Sequence, residues 1–168
     1  FHVGSAGRAG LYSDPDPYVR NMDAAGVDRA CINSIWYVDQ RRSNDLVASY
    51  VSRYPDRFIP VAFVTPHYPE EAIGELERAF DTLGAKFLKI YPNFWDLPQD
   101  DPAYFPIYEW CDDRGIAILH HASYVFDEKS VTTPGRYAAL HKRLPRIKWV
   151  QAHAGSGGNW GSVEAARE

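Results

Sequence analysis

Short apolar runs alternate with longer amphipathic segments along the whole chain. The apolar runs predict strands that begin near residues 29, 58, 87, 116 and 147. Each interval between them holds one segment with apolar residues at helical spacing. A repeat of about 29 residues with one helix per repeat is typical of right-handed βαβ units, so we predict a parallel sheet.

Capping residues and glycines mark where the predicted helices begin and end. Serine, aspartate, asparagine or proline stands before each helical pattern, as is usual at a helix N-terminus. The predicted helices begin at Ser13-Asp14-Pro15, Ser43-Asn44, Pro69, Asp101-Pro102 and Pro134. Three of them end at Gly26, Gly84 and Gly115.

The order of these elements allows two α/β architectures, a (β/α)8 barrel and an open doubly wound sheet. An open sheet usually carries Gly-x-Gly-x-x-Gly after its first strand, and this chain has no such motif. Counting Phe1-His2-Val3 as the end of a first strand gives six strand–helix units, whereas a whole barrel has eight in about 250 residues. We therefore predict one domain over residues 1–168, an α/β fold of the (β/α)8 TIM-barrel type that is truncated at both ends.

Composition excludes several classes of partner. With 45% apolar residues, 24% charged residues and a formal net charge of −4, the chain has no electrostatic signature for nucleic acid or a membrane surface. No apolar run reaches the ~20 residues of a membrane span, and no signal peptide is visible. Cys31 and Cys111 are far apart in sequence, which favours reduced thiols. We expect a cytoplasmic protein with a small-molecule substrate, and a homo-oligomer in its full-length form.

Histidines follow three of the predicted strands, where barrel enzymes place their chemistry. They are His2, the pair His120-His121, and His153. The run Ile116-Ala117-Ile118-Leu119 predicts a strand buried on both faces, and the histidine pair comes directly after it. Because side chains alternate along a strand, one of the pair points into the barrel and the other toward the helices, and the residues alone do not say which. This is a metal-site or acid–base pattern, whereas His67 and His141 are expected at the surface.

Other polar and aromatic residues near strand ends suit a bound substrate. Lys89 either extends its amine to solvent, binds a substrate anion, or forms a Schiff base after its pKa is lowered. Trp36, Tyr91 and Trp95 are suited to a planar or carboxylated molecule. We predict Lys89, Tyr91 and Trp36 as substrate-binding residues.

Five segments, taken in order and spacing, carry a resemblance to a known family. They are Ala24-Ala25-Gly26-Val27-Asp28-Arg29-Ala30, Tyr54-Pro55-Asp56-Arg57-Phe58, Leu83-Gly84-Ala85-Lys86-Phe87-Leu88-Lys89-Ile90-Tyr91-Pro92, Gly115-Ile116-Ala117-Ile118-Leu119-His120-His121 and Pro145-Arg146-Ile147-Lys148-Trp149-Val150-Gln151-Ala152-His153-Ala154-Gly155. Over nearly its whole length the chain resembles the amidohydrolase-related (amidohydrolase 2) family of the metal-dependent hydrolase superfamily.

The resemblance implies roles for individual residues. His2 matches the second histidine of the family's first-strand His-x-His pair, and His121 matches the metal ligand after the fifth strand. His153 matches a histidine that is catalytic in the mononuclear, decarboxylase-like branch and a ligand in binuclear members. Lys89 lies where some members carry a carboxylated lysine, but the resemblance is to the branch without one, so we assign it no metal role.

The resemblance also implies a cofactor and a reaction. The expected cofactor is a divalent metal, zinc first and manganese as the alternative, and the expected enzyme is a metal-dependent hydrolase that attacks a C–N, ester or lactone bond with a metal-activated water. The alternatives are a metal-dependent decarboxylase of a small aromatic carboxylic acid and a Lys89 Schiff-base aldolase. The family's first histidine would precede Phe1 and its aspartate would follow Glu168. This predicts a fragment with an incomplete site, which is metal-free or binds metal weakly and is inactive by itself.

Overall fold

Five short strands alternate with helices in the computed structural model, which describes residues 2–3, 14–35, 39–92, 96–122 and 134–155. The strands are β1 (Ala30–Ile32), β2 (Phe58–Phe63), β3 (Phe87–Ile90), β4 (Ala117–His120) and β5 (Lys148–Gln151). The helices are α1 (Asp16–Ala24), α2 (Gln40–Arg53), α3 (Pro69–Glu77), α4 (Phe105–Arg114) and α5 (Pro134–Arg143). The order of strands and helices is the one that the apolar pattern predicts.

The chain is divided into two compact units. The first contains Phe1–Thr65 and Gly74–Phe87, and the second contains Pro66–Ile73 and Leu88–Glu168. Within the described part, no helix is long and apolar enough to cross a membrane.

In the first unit, β1 and β2 pair in parallel, with Ala30 opposite Phe58. His2 forms a parallel bridge with Asn33, and the Val3 amide donates to the Asn33 carbonyl at 2.7 Å. This pairing agrees with the prediction that a strand ends at residues 1–3. The core of this unit is built from apolar side chains of these strands and of the first two helices: Val3, Met22, Ala30, Ile32, Val47, Tyr50 and Phe58.

The start of α2 differs from the prediction. The helix begins at Gln40, and the carboxylate of Asp39 caps it by accepting a hydrogen bond from the Arg42 amide at 3.0 Å. Ser43-Asn44, predicted as the cap, is buried inside the helix. The Asn44 side chain instead accepts from the Phe63 amide at 2.9 Å and donates to the Phe63 carbonyl at 3.0 Å. A tertiary contact with β2 therefore explains this polar residue.

The helix that is predicted to run from Pro69 to Gly84 is not a single α-helix. The α-helix ends at Glu77 and is followed by a π-helical turn, Arg78–Thr82, in which the Leu83 amide donates to the Arg78 carbonyl at 3.0 Å. The extra residue in this turn delays the end of the helix, and Gly84 follows it with a φ of 74°, as the predicted terminator.

In the second unit, β4 pairs in parallel with β5, with Ala117 opposite Lys148 and His120 opposite Gln151. Gly115 ends α4 in the left-handed conformation, with a φ of 62°, and leads directly into β4. The Asp112 carboxylate at the end of α4 accepts hydrogen bonds from the amides of Arg146 at 2.8 Å and Ile147 at 3.2 Å. This contact fixes the entry of β5 against the end of α4.

Two predictions about these strands are wrong in detail. β4 is not buried on both faces, because Ile118 and His120 are buried while Ala117 and Leu119 are only half-buried. β5 ends at Gln151, so His153 lies in the 3₁₀ turn Ala152–Gly155 that follows the strand. Cys31 and Cys111 form no disulfide with each other, as predicted, and Cys111 is fully buried.

Candidate active site

The two histidines at the end of β4 point in different directions. His120 has no exposed surface, and its ring stacks on Tyr137 of α5, with centroids 3.2 Å apart and an angle of 23° between the planes. His121, the next residue, stacks instead on Tyr91, with centroids 4.3 Å apart. His120 therefore faces α5, and His121 extends to the other side of the strand, as alternation requires.

His153 joins this second group. Its ring lies edge-on to the His121 ring, with centroids 4.9 Å apart and an angle of 72° between the planes. His153 is exposed, and its φ is 61°, a left-handed conformation that non-glycine residues adopt at a cost. The left-handed residue turns the chain after β5 and holds an imidazole beside His121.

Lys89 of β3 lies inside the protein. Its side chain is 1% exposed, and its Nζ lies over the Tyr91 ring, 5.3 Å from the centroid. Burial lowers the pKa of the Lys89 amine to about 8, and no carboxylate of the described residues pairs with it. The prediction that Lys89 could extend to solvent is therefore wrong, since its amine is enclosed.

Tyr91 connects the lysine with the histidines. It follows β3 directly, is half-buried, and contacts Lys89 through one ring face and His121 through stacking. Burial raises the pKa of the Tyr91 hydroxyl, which stays protonated at neutral pH. Lys89, Tyr91, His121 and His153 thus form one connected group of side chains, which we call the β3–β5 cluster.

His120 is a neutral packing residue beside this cluster. Burial lowers the pKa of its imidazole well below the usual range, and the positive charge of Lys89 adds to this effect. Its ring also lies 5.9 Å from that of Trp149. Neither of its ring nitrogens has a hydrogen-bond partner within the part of the chain that the structure describes.

Tyr137 of α5 contacts the candidate site, and no pattern in the sequence indicated this contact. Its hydroxyl donates to the His121 carbonyl at 3.1 Å. In sequence, an aromatic residue on the apolar side of an amphipathic helix predicts only core packing. No local pattern could have indicated a contact with a strand that lies sixteen residues earlier.

The structure describes the three other histidines and neither of the two candidate tryptophans. His2 is half-buried in the first unit, where its carbonyl accepts from the Tyr18 hydroxyl at 2.9 Å. Trp36 and Trp95 lie outside the described residues. His67 and His141 are exposed, as predicted.

The β3–β5 cluster contains two of the side chains that a catalytic metal site needs, but not a complete set of ligands. His121 and His153 bring two imidazoles together, and imidazole is a good ligand for zinc, iron, copper and nickel. A catalytic ion usually has three protein ligands. Among the described residues, no group of three or more His, Cys, Asp or Glu side chains could hold an ion.

The sequence matches the model of one protein family and is similar to a decarboxylase. The sequence model described as amidohydrolase matches residues 6–168. The 2-amino-3-carboxymuconate-6-semialdehyde decarboxylase of Dictyostelium discoideum is 30% identical over 120 residues, which is 64% of this chain and 33% of that protein. The chain therefore spans about a third of the length of this curated relative.

Comparison with solved structures finds barrel proteins. The 5-carboxyvanillate decarboxylase of Sphingomonas paucimobilis matches with a TM-score of 0.71 and 25% identity, over 86% of this chain and 53% of that one. An uncharacterised TIM-barrel protein of Bordetella bronchiseptica matches with a TM-score of 0.76 and 21% identity, over 90% and 55%. A 5-carboxyvanillate decarboxylase of Novosphingobium aromaticivorans, solved with bound manganese, has a TM-score of 0.71 and 21% identity, over 86% and 51%. The predicted barrel-type fold is confirmed.

Proposed function

Because the chain belongs to the amidohydrolase family, we propose that it carries part of the active site of a metal-dependent decarboxylase. The substrate class is a small carboxylic acid with an aromatic ring or a conjugated chain. Two kinds of support favour decarboxylation over hydrolysis. Three of the four similar proteins named above are decarboxylases, and a buried lysine lies beside the histidines in the β3–β5 cluster.

The buried Lys89 amine is the observation that carries this proposal. An ammonium group without a partner carboxylate is costly inside a protein, and a substrate carboxylate would compensate it. The half-buried Tyr91 ring lies against both Lys89 and His121 and adds apolar surface beside the amine. The cluster therefore combines a positive charge with aromatic side chains, a combination that suits a conjugated carboxylic acid.

His121 is the proposed metal ligand in this cluster. His2, which is not a member of the cluster, is proposed as a ligand on the sequence resemblance alone. A divalent ion supplies Lewis-acid polarisation of a substrate oxygen when it is bound. Zinc and manganese are both candidates, the first from the resemblance and the second because a similar decarboxylase contains it. His121 is suited to this role because stacking on Tyr91 holds its ring in place.

His153 is the proposed proton donor. In decarboxylation the bond between the substrate carbon and its carboxylate breaks, CO₂ leaves, and the electron pair stays on that carbon. A protonated His153 gives its proton to this carbon and regains one from solvent, to which it is exposed. Lys89 holds the substrate throughout.

A hydrolase of C–N, ester or lactone bonds is the second candidate, because the matching family is described as amidohydrolase. In that case His153 stabilises the oxyanion or moves the proton of the attacking water. Both reactions use the same side chains, so the product distinguishes them.

Product analysis with a labelled acid tests the proposal. The whole protein is incubated with Mn²⁺ or Zn²⁺ and 5-carboxyvanillate labelled with ¹³C in its carboxyl groups, and released ¹³CO₂ is measured with and without a chelator. We expect metal-dependent ¹³CO₂ release that the chelator abolishes. Chelator-sensitive cleavage of amides, esters or lactones without CO₂ would instead identify the hydrolase. Chelator-resistant activity with borohydride trapping at Lys89 would identify a Schiff-base enzyme.

A further inference from the structure

The peptide groups of His121 are held from two sides. Its amide donates to the Ile90 carbonyl of β3 at 3.0 Å, and its carbonyl accepts from the Tyr137 hydroxyl of α5 at 3.1 Å. β4 ends at His120, so this carbonyl lies just beyond the last residue of the strand. A partly buried carbonyl at such a point needs a partner, and a helix side chain provides it.

The Tyr137 ring adds a second contact with the same strand. Tyr137 is 2% exposed, its ring stacks on His120, and it lies 5.7 Å from the ring of Trp149 on β5. These neighbours leave the phenol little freedom, so the hydroxyl is directed at the His121 carbonyl. One side chain of α5 therefore contacts both members of the histidine pair.

We propose that Tyr137 is a positioning residue, which fixes the backbone of His121 and so directs its imidazole toward Tyr91 and His153. This inference rests on the proposed function, in which His121 holds the metal ion. Groups that orient a ligand without touching the ion affect metal affinity by about 10- to 100-fold. Tyr137 contacts neither substrate nor metal, and acts only through His121.

A second buried tyrosine provides a matched control. Tyr108 of α4 has no exposed surface, and its hydroxyl donates to the Gln99 carbonyl at 2.8 Å. Its ring also packs on Trp149, with centroids 5.3 Å apart. Tyr108→Phe and Tyr137→Phe each remove one phenol hydrogen bond to a backbone carbonyl, but only Tyr137→Phe removes one from a candidate ligand.

The experiment measures His121 in both variants by NMR. Relaxation of the His121 ring is recorded first without metal, and the broadening of its signals is then followed as Mn²⁺ is added. We expect greater ring motion in Tyr137→Phe and a Kd for Mn²⁺ raised by about tenfold. Tyr108→Phe should keep the wild-type ring motion and a Kd within about twofold of wild type, although both variants lose similar stability.

The ring relaxation and the Mn²⁺ titration distinguish a failure of the positioning role from a failure of the proposed metal function. If the His121 ring is equally mobile in Tyr137→Phe and Tyr108→Phe, the positioning role is wrong, whatever the Kd for Mn²⁺. If the ring loses order only in Tyr137→Phe while the wild-type protein shows no Mn²⁺ broadening at His121, the positioning role stands and the proposed metal function fails.

Discussion

Replacing Lys89 with methionine should raise the free energy of unfolding at pH 7 by about 2 to 3 kcal/mol. Burial lowers the pKa of this amine from 10.5 to about 8, so the folded protein holds the charged form at a cost. Methionine has a similar volume and no charge. Urea unfolding of Lys89→Met beside Lys86→Met provides the test, because Lys86 is exposed and its replacement should have little effect.

The pH dependence of stability tests whether the buried charge of Lys89 causes this increase in the free energy of unfolding. Below pH 8 Lys89 is protonated in both the folded and the unfolded chain, so the full cost is present. Between pH 8 and pH 10.5 the folded chain loses its proton first, and the unfolded chain binds more protons. The stability of the wild type therefore rises with pH over this interval relative to that of Lys89→Met. A destabilised Lys89→Met protein at pH 7 would contradict the assignment of an uncompensated charge.

The same variant should lose activity while it gains stability. A lysine retained at a stability cost is expected where it binds an oppositely charged ligand. Loss of one charged hydrogen bond to a substrate carboxylate should lower kcat/KM by at least about 30-fold. Steady-state kinetics of the whole protein measure this, and full activity in Lys89→Met would remove Lys89 from the substrate site.

In the whole protein, replacing His153 with asparagine should lower kcat by about 10²- to 10⁴-fold in steady-state kinetics, with little change in KM. The imidazole is the proposed proton donor, so its loss affects the chemical step more than binding. Asparagine suits this position because it tolerates the left-handed backbone that His153 adopts, with a φ of 61°. The backbone turn after β5 should therefore persist in the variant.

His141→Asn is the matched control for this replacement. His141 is exposed on α5 and belongs to neither the β3–β5 cluster nor the core. Its replacement should leave both kinetic constants unchanged. Unchanged kcat in His153→Asn would withdraw the catalytic assignment of that residue.

The fold was largely predictable, because strand and helix patterns are local properties of the sequence. The apolar run before His120 predicted β4, and Gly115 marked the end of α4. Asn44 was misassigned as a cap because its partner, the Phe63 backbone, lies on another element. A polar residue in a helix has the same local signature whether it caps that helix or hydrogen-bonds a distant strand.

The candidate site was predictable in residue type but not in arrangement. Position after a strand indicated the pair His120-His121 and His153, and the family resemblance selected His121, yet only the structure shows that the His121 and His153 rings lie 4.9 Å apart. Burial of Lys89 depends on the tertiary packing of its neighbours, which no local pattern contains. Tyr137 was missed for the same reason, since its hydrogen bond joins a helix to the end of a strand.

The central claim is that the β3–β5 cluster binds a divalent ion and a substrate carboxylate together. A crystal structure of the whole protein with Mn²⁺ and 3-methoxy-4-hydroxy-5-nitrobenzoic acid, an acid bound by a similar decarboxylase, tests it most directly. We predict an anomalous manganese peak at coordination distance from a ring nitrogen of His121, with the carboxylate of the acid hydrogen-bonded to the Lys89 Nζ. Manganese bound away from His121, or a carboxylate that does not contact Lys89, would contradict the account.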